Sequence, residues 1–189
     1  MIRIKDKKDS INKMKEIRLN YFPLEVFEVH DIDGIKDFFN KYPAEEFVMR
    51  SPNKTNGNFF FVKNFEEAKE KLQYFSHEVT IDVSYRPYKE DIVLVGDIKV
   101  HKGIGADIID LTARTDSEAT HRNIYENPEY NLHTTIEDDK LWDIPGFSKI
   151  MRYITDHELY VVIVEFSVYD IKIGINRENV VISELRTGY

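Results

Sequence analysis

FVMRSPNKTNGNFFFVKNFEEAKEKL, residues 47–72, is the stretch from which the fold is read. Phe47 to Arg50 reads as a short strand ending in a base, residues 51–58 are dense in turn formers, and Phe59 to Lys63 reads as a second strand. Two apolar runs joined by a polar, glycine-containing loop make a β-hairpin. A helix follows, with Asn64 as N-cap and Glu67 three residues later in capping-box spacing. A flexible loop exposes backbone N–H groups, so Lys54, Asn56 and Gly57, flanked by Arg50, can cover a polyphosphate with Arg50 and Lys54 as counter-charges. A plain hairpin turn carrying two solvated bases accounts for the same letters.

Working outward, residues 3–20 hold seven basic and three acidic side chains, with Ile4, Ile11, Met14, Ile17 and Leu19 at mostly helical spacing, and read as a basic amphipathic helix with one solvated face. LEVFEV (24–29) alternates like a strand. Asp31 caps a helix bearing Ile35, Phe38 and Phe39, which must stop near Tyr42 because Pro43 follows. VTIDVSY (79–85), IVLVGDIKV (92–100) and ADIIDL (106–111) are rich in β-branched residues and read as strands. Residues 112–130 turn polar and read as a long loop or broken helix, the kind of segment that often carries function. Phe147, Ile150, Met151 and Ile154 share a helical face; residues 159–168 read as a strand, followed by a turn containing Asp170, a short strand over 172–175 and a last strand over 180–186. The order is α+β with antiparallel hairpins, expected as one compact domain over 1–189: a basic helix over 1–20, one lobe over about 20–85 and a second over about 86–189.

Composition narrows the function. With 34 acidic against 26 basic residues the formal charge is −8, and residues 123–189 alone carry 12 acidic and 6 basic side chains. A general electrostatic grip on nucleic acid or anionic lipid needs clustered bases, so a nucleic-acid or membrane partner is not expected. There is no cysteine, which removes disulfides and thiol nucleophiles and agrees with a reducing cytoplasm, the expected location. No apolar run approaches the roughly 20 residues that span a bilayer, and MIRIKDKKDS lacks the apolar core of a signal peptide. The six histidines show no metal-ligand spacing, and there is no Walker-type or dinucleotide-type glycine pattern.

Two further groups can carry chemistry. Glu165 interrupts the apolar run 161–168 and Glu184 interrupts VVISELR; a carboxylate in a buried strand is costly unless paired or bound to a cation. On adjacent antiparallel strands the two can converge on one Mg²⁺, and an ion pair with Arg186 or Arg152 answers the same need. Asp97 and Lys99 share one face of their strand, placed to hold a substrate or each other. Arg114 and Arg122, in the polar stretch, suit negative charge developing on a transferred phosphoryl group.

This succession resembles the ATP-grasp fold, in which a strand bearing a base leads into a glycine-rich hairpin loop over the ATP phosphates and two closing strands bear Mg²⁺ carboxylates. The resemblance covers roughly residues 20–189, with residues 47–72 like the first part, VTIDVSY like the hinge strand and VVIVEFSVYDIKIGINRENVVISELRTGY (161–189) like the closing pair. It implies an α+β, two-lobed protein that binds ATP and Mg²⁺ and acts as a ligase or phosphotransferase on a small-molecule or peptide substrate. It also implies Arg50 near the α/β-phosphates, Lys54, Asn56 and Gly57 in the flexible loop over them, and Glu165 and Glu184 at the metal; beside it, Asp97 and Lys99 are expected at the nucleotide and Arg114, Arg122 and Arg186 at the transferred phosphoryl group. Arg186 stands where many members have a ligand asparagine two residues after the glutamate. VMRSP and ELRT are similar to the nucleotide-binding part of the phosphoenolpyruvate synthase group. A second resemblance links Lys54-Thr-Asn-Gly57 to the Lys-x-Asp-Gly signature of covalent nucleotidyltransferases such as RNA ligases, where the lysine is the nucleophile. A third reading is a non-catalytic binding or assembly protein with a degenerate version of the fold.

Overall fold

The computed structural model describes residues 3–52, 57–115 and 123–187, and its strands fall into two sheets, both antiparallel throughout. The first has the order β1-β4-β2-β3, from β1 (Leu24–Glu28), β2 (Phe47–Arg50), β3 (Phe59–Val62) and β4 (Glu78–Val83). The second has the order β7-β6-β5-β8-β9, from β5 (Ile92–His101), β6 (Ile108–Arg114), β7 (Tyr130–Thr135), β8 (Val162–Ile173) and β9 (Glu178–Thr187).

One face of the first sheet packs on α2 (Ile32–Lys41) and α3 (Phe65–Lys71), closing a core of Ile35, Phe38, Met49, Val62, Ala68 and Ile81. Local chemistry starts both helices. The Asp31 carboxylate accepts from the Gly34 amide at 3.0 Å, and the Asn64 side chain from the Glu67 amide at 2.9 Å. Glu67 reaches back to the Lys63 amide at 2.9 Å, so a reciprocal cap forms one residue earlier than the standard box.

The second sheet packs on α4 (Phe147–Asp156) and on α1 (Lys7–Glu16). Phe147, Ile150, Met151 and Ile154 are all buried, each contributing roughly 1.5–3 kcal/mol. The opening helix is shorter than the spacing over 3–20 predicts, and its bases are not simply solvated. Ile11 and Met14 enter the second sheet's core, while Lys15 pairs with Glu25 of β1 at 2.5 Å and Lys8 with Glu78 of β4 at 3.5 Å. The helix therefore touches both sheets.

Strand β7 is the main departure from the sequence reading, which places residues 112–130 in a long loop or broken helix and no strand between it and the helix of Phe147 to Ile154. Strand β6 runs on to Arg114, and β7 pairs with it as an exposed edge. No helix among the described residues is long and apolar enough to cross a membrane.

Candidate functional site

Strand alternation gives the second sheet one apolar and one polar face. The polar face carries a cross-strand row: Asn131 of β7 is opposite Thr112 of β6, Thr112 opposite Asp97 of β5, Asp97 opposite Glu165 of β8, and Glu165 opposite Glu184 of β9. The last step depends on a bulge. The register shifts between Glu165 and Phe166, pairing them with Glu184 and Ile182 and leaving Ser183 as the extra residue. That extra residue keeps Ile182 in the core and Glu184 on the polar face.

Three carboxylates in one row are a high concentration of negative charge, and the chain supplies its own cations. Arg186 Nη2 lies 2.6 Å from Glu165 Oε1 and 3.1 Å from Asp97 Oδ2. The same Asp97 oxygen accepts from the Tyr125 hydroxyl at 2.6 Å. Lys7 of α1, itself 9% exposed, reaches Glu184 Oε2 at 2.5 Å. Burial and then the Asp97 hydrogen bond push the Tyr125 hydroxyl up to about 12. Burial works to lower the Arg186 guanidinium, but Glu165 and Asp97 outweigh it and hold it above its ordinary value.

The first sheet presents a second polar cluster on the face away from its helices. Arg50 and Thr80 are cross-strand partners, and Asp82, two residues on, takes Arg50 Nη2 at 3.0 Å. Arg50 Nε, Thr80 Oγ1 and Asp82 Oδ1 are buried and have no hydrogen-bond partner among the described residues. Enclosure raises the Asp82 carboxyl, opposed by the charges of Arg50 and Lys7. Lys7 therefore acts electrostatically on both clusters, through Glu184 on the second sheet and Asp82 on the first. Beside them Ile92, Val95, Ile124, Tyr169 and Val181 form a small apolar cluster joined by Tyr88, and by Phe22, which also packs against the first sheet's core.

The sequence-expected residues distribute as follows. Glu165, Glu184, Asp97 and Arg186 come together in the row and its guanidinium bridge, while Arg50 sits in the first sheet's cluster. Asp97 and Lys99 share a face, but Asp97 engages Arg186 and Tyr125, while Lys99 lies between Asp110 and Ile163 in register. Arg114 donates to the Asn123 carbonyl at 3.2 Å, holding the end of the polar stretch. Gly57 is half-buried beside the β2–β3 hairpin, which Ser51 and Asn58 close by an amide–carbonyl bond of 3.1 Å. Lys54, Asn56 and Arg122 lie outside the described residues. Sequence reasoning missed Lys7, Tyr125, Thr80 and Asp82. Asp82 had a signal, a carboxylate inside VTIDV like Glu165 inside its own run; Lys7 had none beyond membership of a basic helix.

The resemblance implies a magnesium ion between Glu165 and Glu184, and such an ion needs open oxygen ligands. The two glutamates are direct cross-strand partners, but their carboxylates turn to different cations, one to Arg186 and the other to Lys7. Among the described residues no group of three or more acidic or histidine side chains is arranged to hold a metal. As arranged, the donor set does not fit the ion.

Neither a family sequence model nor a curated protein sequence matches the chain. Solved structures do. D-alanyl-alanine synthetase A from Vibrio cholerae O1 biovar eltor superposes with a TM-score of 0.55 at 13% identity, over 96% of this chain and 54% of that one. The D-alanine–D-alanine ligase of Coxiella burnetii gives 0.56 at 12%, over 96% and 47%. N5-carboxyaminoimidazole synthetase from Staphylococcus aureus, in its complex with ADP, gives 0.53 at 11%, over 97% and 45%. This is the ATP-grasp fold. The chain spans about half the length of these ATP-grasp enzymes, and at such identities the likeness establishes architecture alone.

Proposed function

We propose that the chain binds ATP or ADP between its two sheets and uses the triphosphate in an ATP-dependent ligase or phosphoryl-transfer reaction on a small carboxylate-bearing molecule or peptide. One observation carries the reading: Lys7 of α1 is joined to Glu184 on the second sheet, and its charge also acts on Asp82, the partner of Arg50 on the first. The site so framed has cationic side chains for phosphates in Arg50 and Lys7, enclosed polar atoms lacking partners among the described residues, and an apolar cluster suited to a base at its side. The structural neighbours include an enzyme crystallised with ADP and others named as ligases.

In this reading Arg50, with the loop that contains Lys54, Asn56 and Gly57, contacts the phosphates. Asp97 and Lys99 border the nucleotide, and Arg114, Arg122 and Arg186 meet charge developing on the transferred group. A substrate carboxylate oxygen attacks the γ-phosphorus with ADP leaving; an amine then attacks the acyl carbon, expels phosphate and loses its proton. This chain's residues bind, orient and neutralise.

The test is thermal stabilisation. At ATP concentrations near one hundred times Kd, binding adds about 2.7 kcal/mol to stability, a rise of roughly 5–11 °C for a chain of this size, and Arg50→Gln reduces it. No shift with millimolar ATP or ADP, with or without Mg²⁺, removes the proposal in favour of the assembly-protein reading. The covalent alternative, in which Lys54 takes an adenylyl group, predicts retained label after denaturation from ATP labelled on the α-phosphate.

A further inference from the structure

The row of carboxylates has a feature that nucleotide binding alone does not require. A single nitrogen, Arg186 Nη2, stands between Glu165 on β8 and Asp97 on β5, 2.6 and 3.1 Å from the two oxygens. In register Arg186 is opposite Ile163, so its guanidinium reaches along the sheet from its own row to the next. The two acids are enclosed, with side-chain exposures of 12% for Glu165 and 5% for Asp97, while Arg186 keeps 43%. Enclosed carboxylates on neighbouring strands must share a cation or neutralise. Here the cation is covalently attached to the chain.

Two details set this apart from an ordinary surface pair. Asp97 Oδ2 also accepts from Tyr125, so two donors occupy the oxygen that a bridging metal would need. And a guanidinium has five N–H donors in a fixed fork, whereas Nη2 alone makes both contacts with the acids. The rest of a side chain that is nearly half exposed can meet an anion arriving from solvent.

We infer that Arg186 is a tethered substitute for a divalent cation: it bridges Asp97 and Glu165 through Nη2 and offers its remaining donors to the phosphates of a bound nucleotide, so that no metal enters between these two carboxylates. This rests on the nucleotide reading for the identity of the anion but not for the state of the acids. It changes the cofactor requirement of the site. A guanidinium carries one positive charge where a divalent ion carries two and cannot exchange, so binding at this face depends little on free metal.

The experiment has two arms, run on the unmodified chain, Arg186→Gln and Arg186→Lys. In the first, Mn²⁺ alone is titrated and free Mn²⁺ is followed by its paramagnetic resonance signal. Removing the resident charge takes away the cation the two acids share, so Arg186→Gln binds Mn²⁺ at least about tenfold more tightly than the unmodified chain, and Arg186→Lys stays close to the unmodified chain. In the second, calorimetry measures ATP binding in EDTA and in Mg²⁺. The unmodified chain binds ATP in EDTA within about threefold of its affinity in Mg²⁺, and Arg186→Gln loses at least about tenfold in EDTA and regains it with Mg²⁺. Equal Mn²⁺ affinity in the unmodified and Arg186→Gln proteins overturns the inference, as does strict dependence of ATP binding on Mg²⁺. If no variant binds ATP, the nucleotide reading fails and the Mn²⁺ series still decides the role of Arg186. Should Arg186→Gln fail to fold, tight Mn²⁺ binding by the unmodified chain refutes the substitution and its absence supports it.

Discussion

Replacing Asn20 with alanine should strongly destabilise the fold. Asn20 is fully buried in the segment joining α1 to β1, yet its side-chain partners belong to the β8–β9 hairpin. Its amide nitrogen donates to the Val180 carbonyl at 2.8 Å and the Ile173 carbonyl at 2.9 Å, with a weaker 3.4 Å contact to the Glu178 carbonyl, and its oxygen accepts from the Asn176 amide at 2.9 Å. Its own backbone carbonyl accepts from the Ile182 amide at 2.8 Å. Alanine keeps that last bond but strips partners from two carbonyls and one amide. Three strong bonds at about 1 kcal/mol each, in an enclosed place where unpaired groups cost more, give a loss of about 3 kcal/mol, or roughly 6–12 °C in Tm. Urea unfolding measures it, with an unchanged m-value as the control for an intact fold. Asn20→Asp is a sharper companion: it retains the acceptor but turns an oxygen toward the two carbonyls, so it loses at least as much at neutral pH and recovers part of the loss as the carboxyl protonates in acid. A loss below about 1 kcal/mol for Asn20→Ala, with the Asn176 amide still protected from hydrogen exchange, would refute the account.

Two other outcomes follow from the second sheet. A Cβ at Gly96 would lie 2.7 Å from Ala113 Cβ and 2.9 Å from both Phe166 Cζ and the Thr112 carbonyl oxygen, so Gly96→Ala should cost about 1–3 kcal/mol by denaturant melting, and a neutral result contradicts the close packing of β5 on β6. The Asp110 carboxylate takes His133 Nδ1 at 2.5 Å and His101 Nε2 at 2.9 Å; partial burial works to raise it, but the hydrogen bonds from His133 and His101 prevail and hold it below the usual range. A depressed carboxyl stabilises the fold above its unfolded pKa, about 4, and this is lost as pH falls through the folded value. Asp110→Asn should therefore flatten the acid side of a stability-against-pH curve, and an unchanged acid limb would show that the two imidazoles do not hold the charge.

The sequence made the elements legible where local chemistry decides them. Asp31 and Asn64 start their helices, Pro43 ends one, and the face of Phe147, Ile150, Met151 and Ile154 is buried as its spacing requires. Strand β7 was hidden because YNLHTT is an edge: Tyr130, Leu132 and Thr134 turn partly inward and the alternate residues face water, so it reads as polar loop. Strand order was not legible either. VTIDVSY becomes the inner strand β4, between β1 and β2, because pairing between distant segments is set by sheet packing and not by neighbouring residues. At the site, a carboxylate inside an apolar strand was a readable signal and located Glu165 and Glu184. The partners were not readable, since Lys7 lies 177 residues from Glu184 and Arg186 reaches Asp97 across 89.

The two attachments of α1 differ in their physics. Ile11 and Met14 anchor the helix in the second sheet with several kcal/mol of apolar burial between them. Its links to the first sheet, Lys8–Glu78 and Lys15–Glu25, are largely exposed pairs, worth about 0–1 kcal/mol each and screened by salt. Added salt therefore weakens the charged attachment of the helix to the first sheet and leaves its buried attachment to the second intact.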